Sequence, residues 1–126
     1  MLPFLRGRVA SFLPAFAGWA HVLRTQHNAW IHAAISLAVF ALGFWLELGR
    51  RDWVLILLTV AQVWLAEFFN TAVEIVVDLA SPEQHDLAKL AKDVGAGAVV
   101  VAATVAVIVG LLVFGPPLWA RLASSL

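Results

Sequence analysis

The feature that most constrains this chain is an uncharged run of 21 residues, 94–114, which is rich in glycine, alanine and valine. A helix of about 20 apolar residues is long enough to cross the hydrocarbon core of a bilayer. The whole chain has 126 residues, of which 63% are hydrophobic and only 13% are charged, which is too apolar for an ordinary soluble domain of this size. The run therefore predicts an integral membrane protein.

Two further segments have the same character. Residues 29–48 are apolar except for His32, Ser36 and Glu47. Residues 53–79 begin with an uninterrupted apolar stretch to Ala66 and continue as a helical pattern through polar residues. We therefore expect an all-α chain with three transmembrane helices at 29–48, 53–79 and 94–114.

Turn residues mark the boundaries between these spans. Residues 49–52 begin with a glycine and are charged, which predicts a short helical hairpin. Ser81 followed by Pro82 is typical of a helix start, with Ser81 as the N-cap and Pro82 at the first helical position. Residues 80–93 then form a loop and helix start. Because Gly115, Pro116 and Pro117 are expected to stop the third helix, residues 115–126 are predicted to be a tail.

The segment before the spans, residues 1–28, combines apolar side chains with three arginines, Arg6, Arg8 and Arg24. This pattern predicts an amphipathic helix in the membrane interface. A cleavable signal peptide is disfavoured, since no compact apolar region precedes a small-residue cleavage site. Three spans put this segment and the loop after the second span on one side, with five basic residues against three. The positive-inside rule makes that side cytoplasmic.

The second span carries the most informative polar residues. Glu67, Asn70, Glu74 and Asp78 are spaced by three, four and four, so a helix places them on one stripe. A solvated helix face would explain Asp78, and even Glu74, but Glu67 directly follows a long apolar run, where an unpaired carboxylate is costly. Clustered carboxylates at a membrane surface are suited to binding Mg²⁺ and to accepting a proton from a hydroxyl nucleophile.

Opposite charge follows in residues 85–93. Lys92 beside Asp93 could contact phosphate oxygens, whereas Lys89 fits an interfacial lysine whose stem lies along apolar surface. The chain lacks cysteine, so any metal must bind oxygen or imidazole. The sequence has no Walker A motif and no protein-kinase glycine loop. With a net charge of zero, nothing predicts a nucleic-acid partner.

Two motifs give the chain a family resemblance. They are Glu67-Phe68-Phe69-Asn70-Thr71-Ala72-Val73-Glu74-Ile75-Val76-Val77-Asp78 and Ala91-Lys92-Asp93. Together they resemble the prokaryotic diacylglycerol kinase and undecaprenol kinase family. Upstream, Ser11-Phe12, Ala15, Gly18, Asn28, Ile31 and His32 are similar to further family elements, so the resemblance covers nearly the whole chain.

The resemblance implies a homotrimer with active sites shared between protomers at the cytoplasmic face of the bacterial inner membrane, and ATP and Mg²⁺ as cosubstrate and metal. It makes Glu67 the catalytic carboxylate, with Asn70 beside it. It assigns a metal-binding role to Glu74. It assigns six residues to ATP: Asp78, Glu83, Gln84, His85, Lys92 and Asp93. Gln26 stands where many relatives carry a metal-binding glutamate, so this chain offers an amide oxygen without charge.

The predicted function is phosphorylation of a lipid hydroxyl, on diacylglycerol or on a polyprenol such as undecaprenol. Two alternatives remain open. One is a catalytically impaired or regulatory protein of the same family, which the amide at Gln26 motivates. The other is a small carboxylate-lined transporter, although its polar residues would be expected along a whole span and not at one end. His32 is interpreted as a packed neutral imidazole in preference to a ligand for the acceptor headgroup.

Overall fold

A computed structural model describes residues 12–83 and 85–124, and within them every regular element is an α-helix. The helices, in chain order, are α1 Phe12–Thr25, α2 His27–Trp45, α3 Arg50–Ala80 and α4 Asp86–Ala123. α2, α3 and α4 are each long and apolar enough to cross a membrane. The expectation of an all-helical chain with three membrane-spanning candidates is confirmed.

α3 and α4 form the framework of the fold. α3 has 31 residues and α4 has 38, which correspond to lengths of about 46 and 57 Å. Since the hydrocarbon core of a bilayer is about 30 Å thick, both helices are longer than a perpendicular span requires. The two helices pack against each other over much of their length, and α2 packs on α3. The extra length of α3 carries the polar stripe.

The turn between α2 and α3 begins earlier than the sequence predicts. α2 ends at Trp45, and Glu47 adopts a positive φ of 55°. The Leu48 N–H donates to the Gly43 carbonyl and the Glu47 N–H donates to the Phe44 carbonyl, which is the Schellman arrangement of a helix C-terminus. The predicted boundary at residue 48 is therefore wrong. Residues 50–52, predicted to belong to the turn, form the first turn of α3.

The start of α4 also differs from the prediction. Ser81 and Pro82 lie outside any helix, and the Ser81 hydroxyl donates to the carbonyl of Glu83 at 3.1 Å. The N-cap is instead His85, whose Nδ1 accepts the Leu87 N–H at 3.2 Å. An imidazole nitrogen has thus taken the role predicted for the Ser81 hydroxyl.

The prediction that α4 stops at Gly115 is wrong, because Pro116 and Pro117 lie inside the helix. Each proline removes one backbone donor, but its fixed φ is compatible with a helix, and packing against neighbours makes such breaks tolerable in membrane helices. Beyond the prolines, Arg121 joins α4 to the end of α2. Its guanidinium donates to the Trp45 carbonyl at 3.0 Å and lies 4.7 Å from the centre of the Trp45 ring.

The main hydrophobic cluster lies at the end of the hairpin where α3 begins and α4 finishes. We call this region the apolar end; its buried residues are Leu46, Ile56, Val113 and Phe114. Trp53 completes it and packs against Phe44 with ring centres 4.7 Å apart. The opposite end of the hairpin, where α3 finishes and α4 begins, holds the polar stripe and is called the polar end.

α1 approaches α3 through one aromatic side chain. Trp19 lies 5.1 Å from Trp64 and 4.6 Å from Phe68 between ring centres. Residues 1–11, with Arg6 and Arg8 of the predicted interfacial helix, lie outside the described residues, as do Gln84 and the last two residues of the tail. The placement of α1 in the membrane interface stays a prediction.

Candidate active site

Glu67 is the most deeply buried ionisable side chain at the polar end. Its side chain is 1% exposed, and neither carboxylate oxygen has a hydrogen-bond partner among the described residues. The apolar run of α3 that precedes Glu67 fixes this depth, because the helix continues without a break from the apolar end. A buried carboxylate without partners is costly, so its presence points to a functional demand and not to stability.

His32 faces this carboxylate from α2. Its Nε2 lies 3.6 Å from Glu67 Oε2, beyond hydrogen-bond length, and it is buried without a partner of its own. Trp64 packs against the imidazole at an interplanar angle of 65°. The Trp64 indole donates to Ser36 Oγ at 3.1 Å, which ties α3 to α2 beside the pair.

Glu74 lies at the centre of the next turn of the stripe. One of its oxygens accepts the Asn70 amide at 2.9 Å, and the other accepts the Gln26 amide at 3.0 Å. Gln26 is the extended residue between α1 and α2, and its side chain does not cap α2. The structure therefore brings both predicted metal ligands together, although Gln26 is 48 residues away from Glu74 in the chain.

Asn70 is held tightly against α4. Its Oδ1 is buried and has no partner in the described part of the chain. A Cβ added to Gly95 would lie 2.5 Å from this oxygen, so the bare glycine is what lets α4 approach here. Gly97 has no such neighbour within 4 Å. The tight contact between α3 and α4 is therefore found at Gly95 and not at Gly97.

Lys92 and Asp78 face each other across the helix pair, at the solvent edge of the polar end. Lys92 Nζ donates to Asp78 Oδ1, and the side chains are 38% and 65% exposed. An exposed ion pair of this kind contributes about 0–1 kcal/mol to stability. The pair joins the polar stripe of α3 to the lysine of α4.

The remaining residues predicted to contact ATP are less organised. Glu83, His85 and Asp93 are exposed, and Gln84 lies outside the described residues. His85 has a structural task as the N-cap of α4. Among the described residues, no hydrogen bond joins the side chains of these three residues to Lys92.

An apolar groove of about 400 Å³ runs along α3 between Leu57 and Phe68, and Glu67 does not line it. Its walls include Trp19, Phe40, Leu57, Trp64 and Phe68. Sequence reasoning did not identify this groove, because Trp19 comes from α1 and Phe40 from α2, and hydropathy alone does not show which apolar faces meet. Nor did it identify the contact of His32, although a histidine inside an apolar span was a visible signal.

The chain was compared with known proteins. A family model described as prokaryotic diacylglycerol kinase matches residues 14–114, which covers most of the chain. The chain belongs to the prokaryotic diacylglycerol kinase family. The matched region contains α2, α3 and the polar end of α4, so every site residue described above lies inside it.

Several relatives carry the names of lipid kinases. An undecaprenol kinase of Bacillus subtilis is 44% identical over 108 residues, which cover 86% of this chain and 88% of the relative. A diacylglycerol kinase of Synechocystis is 42% identical over 111 residues, 87% of this chain and 63% of the relative. The Escherichia coli K12 diacylglycerol kinase is 41% identical over 75 residues, 60% of this chain and 61% of the relative. These names confirm the predicted recognition and the enzyme class, a lipid kinase.

The polar end also offers groups suited to the metal that the family resemblance implies. Among the described residues, no three histidine, aspartate or glutamate side chains converge on one point. Glu74 supplies one negative charge, and its two oxygens accept the amide N–H groups of Gln26 and Asn70, so that the Gln26 amide oxygen lies on a side chain next to this carboxylate. Mg²⁺ uses one or two carboxylates together with substrate phosphates, so the Glu74 carboxylate fits it.

Proposed function

We propose that this chain is an ATP- and Mg²⁺-dependent kinase that phosphorylates the hydroxyl of a membrane lipid at the cytoplasmic face of the bacterial inner membrane. The observation that carries the proposal is the Glu67 carboxylate. It is 1% exposed, both oxygens lack partners, and it lies where an apolar helix becomes polar. A lipid hydroxyl that enters from the bilayer would meet a proton acceptor there.

The acceptor proposed first is a polyprenol such as undecaprenol, with diacylglycerol as the second candidate. The similarity to the undecaprenol kinase covers 88% of that relative, against 63% and 61% of the two diacylglycerol kinases. The apolar groove along α3 supports a lipid acceptor in either case, because it would hold a hydrocarbon chain on the same helix that carries the Glu67 carboxylate.

The reaction follows from the placement of these groups. The lipid hydroxyl oxygen attacks the γ-phosphorus of ATP, a P–O bond forms to the lipid, and the bond to the ADP oxygen breaks. Glu67 accepts the hydroxyl proton, which later leaves to solvent. Asn70, one turn further along α3, helps to position the groups around the Glu67 carboxylate. General base assistance of this type contributes about 10²- to 10⁴-fold in rate.

At the solvent edge, Lys92 would contact the ATP phosphates, with Asp78 holding its ammonium in place. The proposed nucleotide site is completed by four residues of the segment 80–93: Glu83, Gln84, His85 and Asp93. Glu74 and Gln26 would hold Mg²⁺, which when bound neutralises charge on the transferring phosphoryl group. Lys92 supplies further positive charge from the protein itself.

The proposed assembly is a homotrimer with active sites shared between protomers. In the single chain, the groups around Lys92 lie at the surface. Most large apolar side chains of the three long helices are exposed as well. Those apolar faces require either lipid or further copies of the chain as neighbours. α1 is proposed to lie in the membrane interface, with its apolar side toward the bilayer.

The function is tested by transfer of labelled γ-phosphate from ATP to undecaprenol and to diacylglycerol in mixed micelles, with and without Mg²⁺. We expect phosphorylated lipid only when ATP and Mg²⁺ are both present. Failure of both lipids to react at every Mg²⁺ concentration would contradict the proposal.

One variant separates the kinase from an impaired relative. The neutral amide at Gln26 motivates the alternative that this chain has lost metal affinity and serves a regulatory role. Gln26→Glu places a second carboxylate beside Glu74, so it should tighten Mg²⁺ binding, measured directly by calorimetry. Activity that appears only in Gln26→Glu would favour the impaired relative, whereas activity already present in the natural chain supports the kinase.

A further inference from the structure

We propose that His32 is a positioning residue for Glu67, which donates a hydrogen bond from its Nε2–H to Glu67 Oε2 and so leaves Oε1 to accept the proton of the lipid hydroxyl. This inference rests on the proposed kinase function. It assigns to a histidine inside the membrane span a task that sequence analysis did not give it.

The first support is that both side chains lack a hydrogen-bond partner. His32 Nε2 and both oxygens of Glu67 are buried and without partners among the described residues. A buried donor and a buried acceptor that are both left unpaired each cost free energy. They lie 3.6 Å apart, so a shift of well under 1 Å would pair them. Catalytic hydrogen bonds are often long in the absence of substrate and shorten when substrate binds.

The second support is the way the imidazole is held. Ser36 lies one helical turn after His32 on α2, and Trp64 lies one turn before Glu67 on α3. The Trp64 indole donates to Ser36 at 3.1 Å, and its ring meets the imidazole edge to face with centres 6.3 Å apart. This contact restricts the rotation of the His32 ring. A histidine that only filled space would not need a neighbour tied across two helices.

The third support is that the two oxygens of the Glu67 carboxylate would have different roles. A free carboxylate can present either oxygen to the substrate and can rotate about its last bond, which weakens alignment with the reacting hydroxyl. A donor on Oε2 removes that freedom and leaves Oε1 as the proton acceptor. The Thr71 hydroxyl donates to the Glu67 backbone carbonyl and occupies neither carboxylate oxygen. His32 therefore acts through Glu67 and needs no contact with substrate.

The test compares four variants with the natural chain in the mixed-micelle assay. His32→Leu removes the donor, His32→Gln keeps an amide N–H of similar reach, and His32→Asn keeps an amide that is too short. The control is His21→Leu, which makes the same substitution at an exposed position of α1. For each we would measure kcat, KM for ATP, binding of a non-hydrolysable ATP analogue and the thermal midpoint in detergent.

We expect His32→Leu and His32→Asn to lower kcat by about 10- to 100-fold, the range seen for residues that orient a functional group. His32→Gln should recover most of the rate. Analogue affinity and KM for ATP should stay within about twofold, and His21→Leu should match the natural chain. If His32→Leu does not fold, the difference between the Gln and Asn variants still decides.

Two results would overturn the inference while the kinase proposal stands. One is an active natural chain in which His32→Leu or His32→Asn keeps its kcat. The other is a kcat that falls equally in the Gln and Asn variants together with the thermal midpoint, which would show a structural role. An inactive natural chain would be recognised separately, because it fails with both lipids before any variant is compared.

Discussion

The two ends of the α3–α4 hairpin differ in whether their buried groups have partners. At the apolar end, Ile56 and Phe114 are 2% and 6% exposed and pack against apolar neighbours from three helices. At the polar end, Glu67 is equally buried, yet its oxygens have no partners. The same pair of helices thus carries a satisfied core at one end and unsatisfied polar groups at the other.

This difference indicates where stability and chemistry reside. Buried polar atoms without partners lower stability, and proteins tolerate them where function requires them. The apolar end and the Arg121 contact on Trp45 hold the helices together, so the polar end can keep the Glu67 carboxylate free for substrate. Variants at the two ends should therefore have separable effects on activity and on stability.

Among three comparisons of the two ends, the largest effect is expected from Lys92→Met at the polar end. Loss of a charged contact to phosphate should lower kcat/KM for ATP by about 100-fold, or about 2.7 kcal/mol. The thermal midpoint should barely move, since the Lys92–Asp78 pair is exposed and contributes little to stability. Lys89→Met is the matched control and should leave the ATP kinetics unchanged. Equal losses in both lysine variants would indicate a general charge effect.

A smaller effect, of the opposite kind, is expected from Ile56→Ala at the apolar end. Removing a buried side chain from a packed cluster leaves a cavity, which we expect to lower the free energy of unfolding by about 2 kcal/mol. Denaturation in detergent measures this, and Leu58→Ala, at an exposed position, should cost less. kcat well below the thermal midpoint should stay within about twofold. A loss of kcat without a loss of stability would break the division between the two ends.

The smallest change in free energy is expected from Gly95→Ala, which probes the contact between α4 and the polar stripe. The new methyl group would meet Asn70 Oδ1 at 2.5 Å, so Asn70 must move and its bond to Glu74 is disturbed. We expect the free energy of unfolding to fall by about 1 kcal/mol. We also expect half-maximal activity to require a higher Mg²⁺ concentration. Gly97→Ala has open space around it and should change neither quantity. Similar behaviour of the two variants would contradict the tight contact.

Hydropathy and spacing were sufficient to predict the long helices and the stripe of Glu67, Asn70 and Glu74, since both depend on local periodicity. The ends of the helices were predicted less well, because they depend on competition between groups. Ser81 was the expected N-cap, but its hydroxyl bonds a loop carbonyl and His85 caps α4. Pro117 was expected to end a helix that continues to Ala123, where tertiary packing competes with the local preference of proline.

The site contacts divide in the same way. The pairing of Gln26 with Glu74 joins residues 48 positions apart and was anticipated only through family resemblance. The approach of His32 to Glu67 depends on how α2 rotates against α3, which no motif encodes. Residues that share one helix were predictable from the sequence, whereas contacts between helices required the structure.

The central claim is that the unpartnered Glu67 carboxylate performs the chemistry, and it is tested most directly by the rate of phosphate transfer from ATP to undecaprenol or diacylglycerol in Glu67→Gln. Glu47→Gln, the same change at the exposed turn of the apolar end, is the matched control. We predict that Glu67→Gln lowers kcat by about 10²- to 10⁴-fold with an unchanged or higher thermal midpoint, while Glu47→Gln keeps full activity. A Glu67→Gln protein that folds and still transfers phosphate at the natural rate would contradict the account.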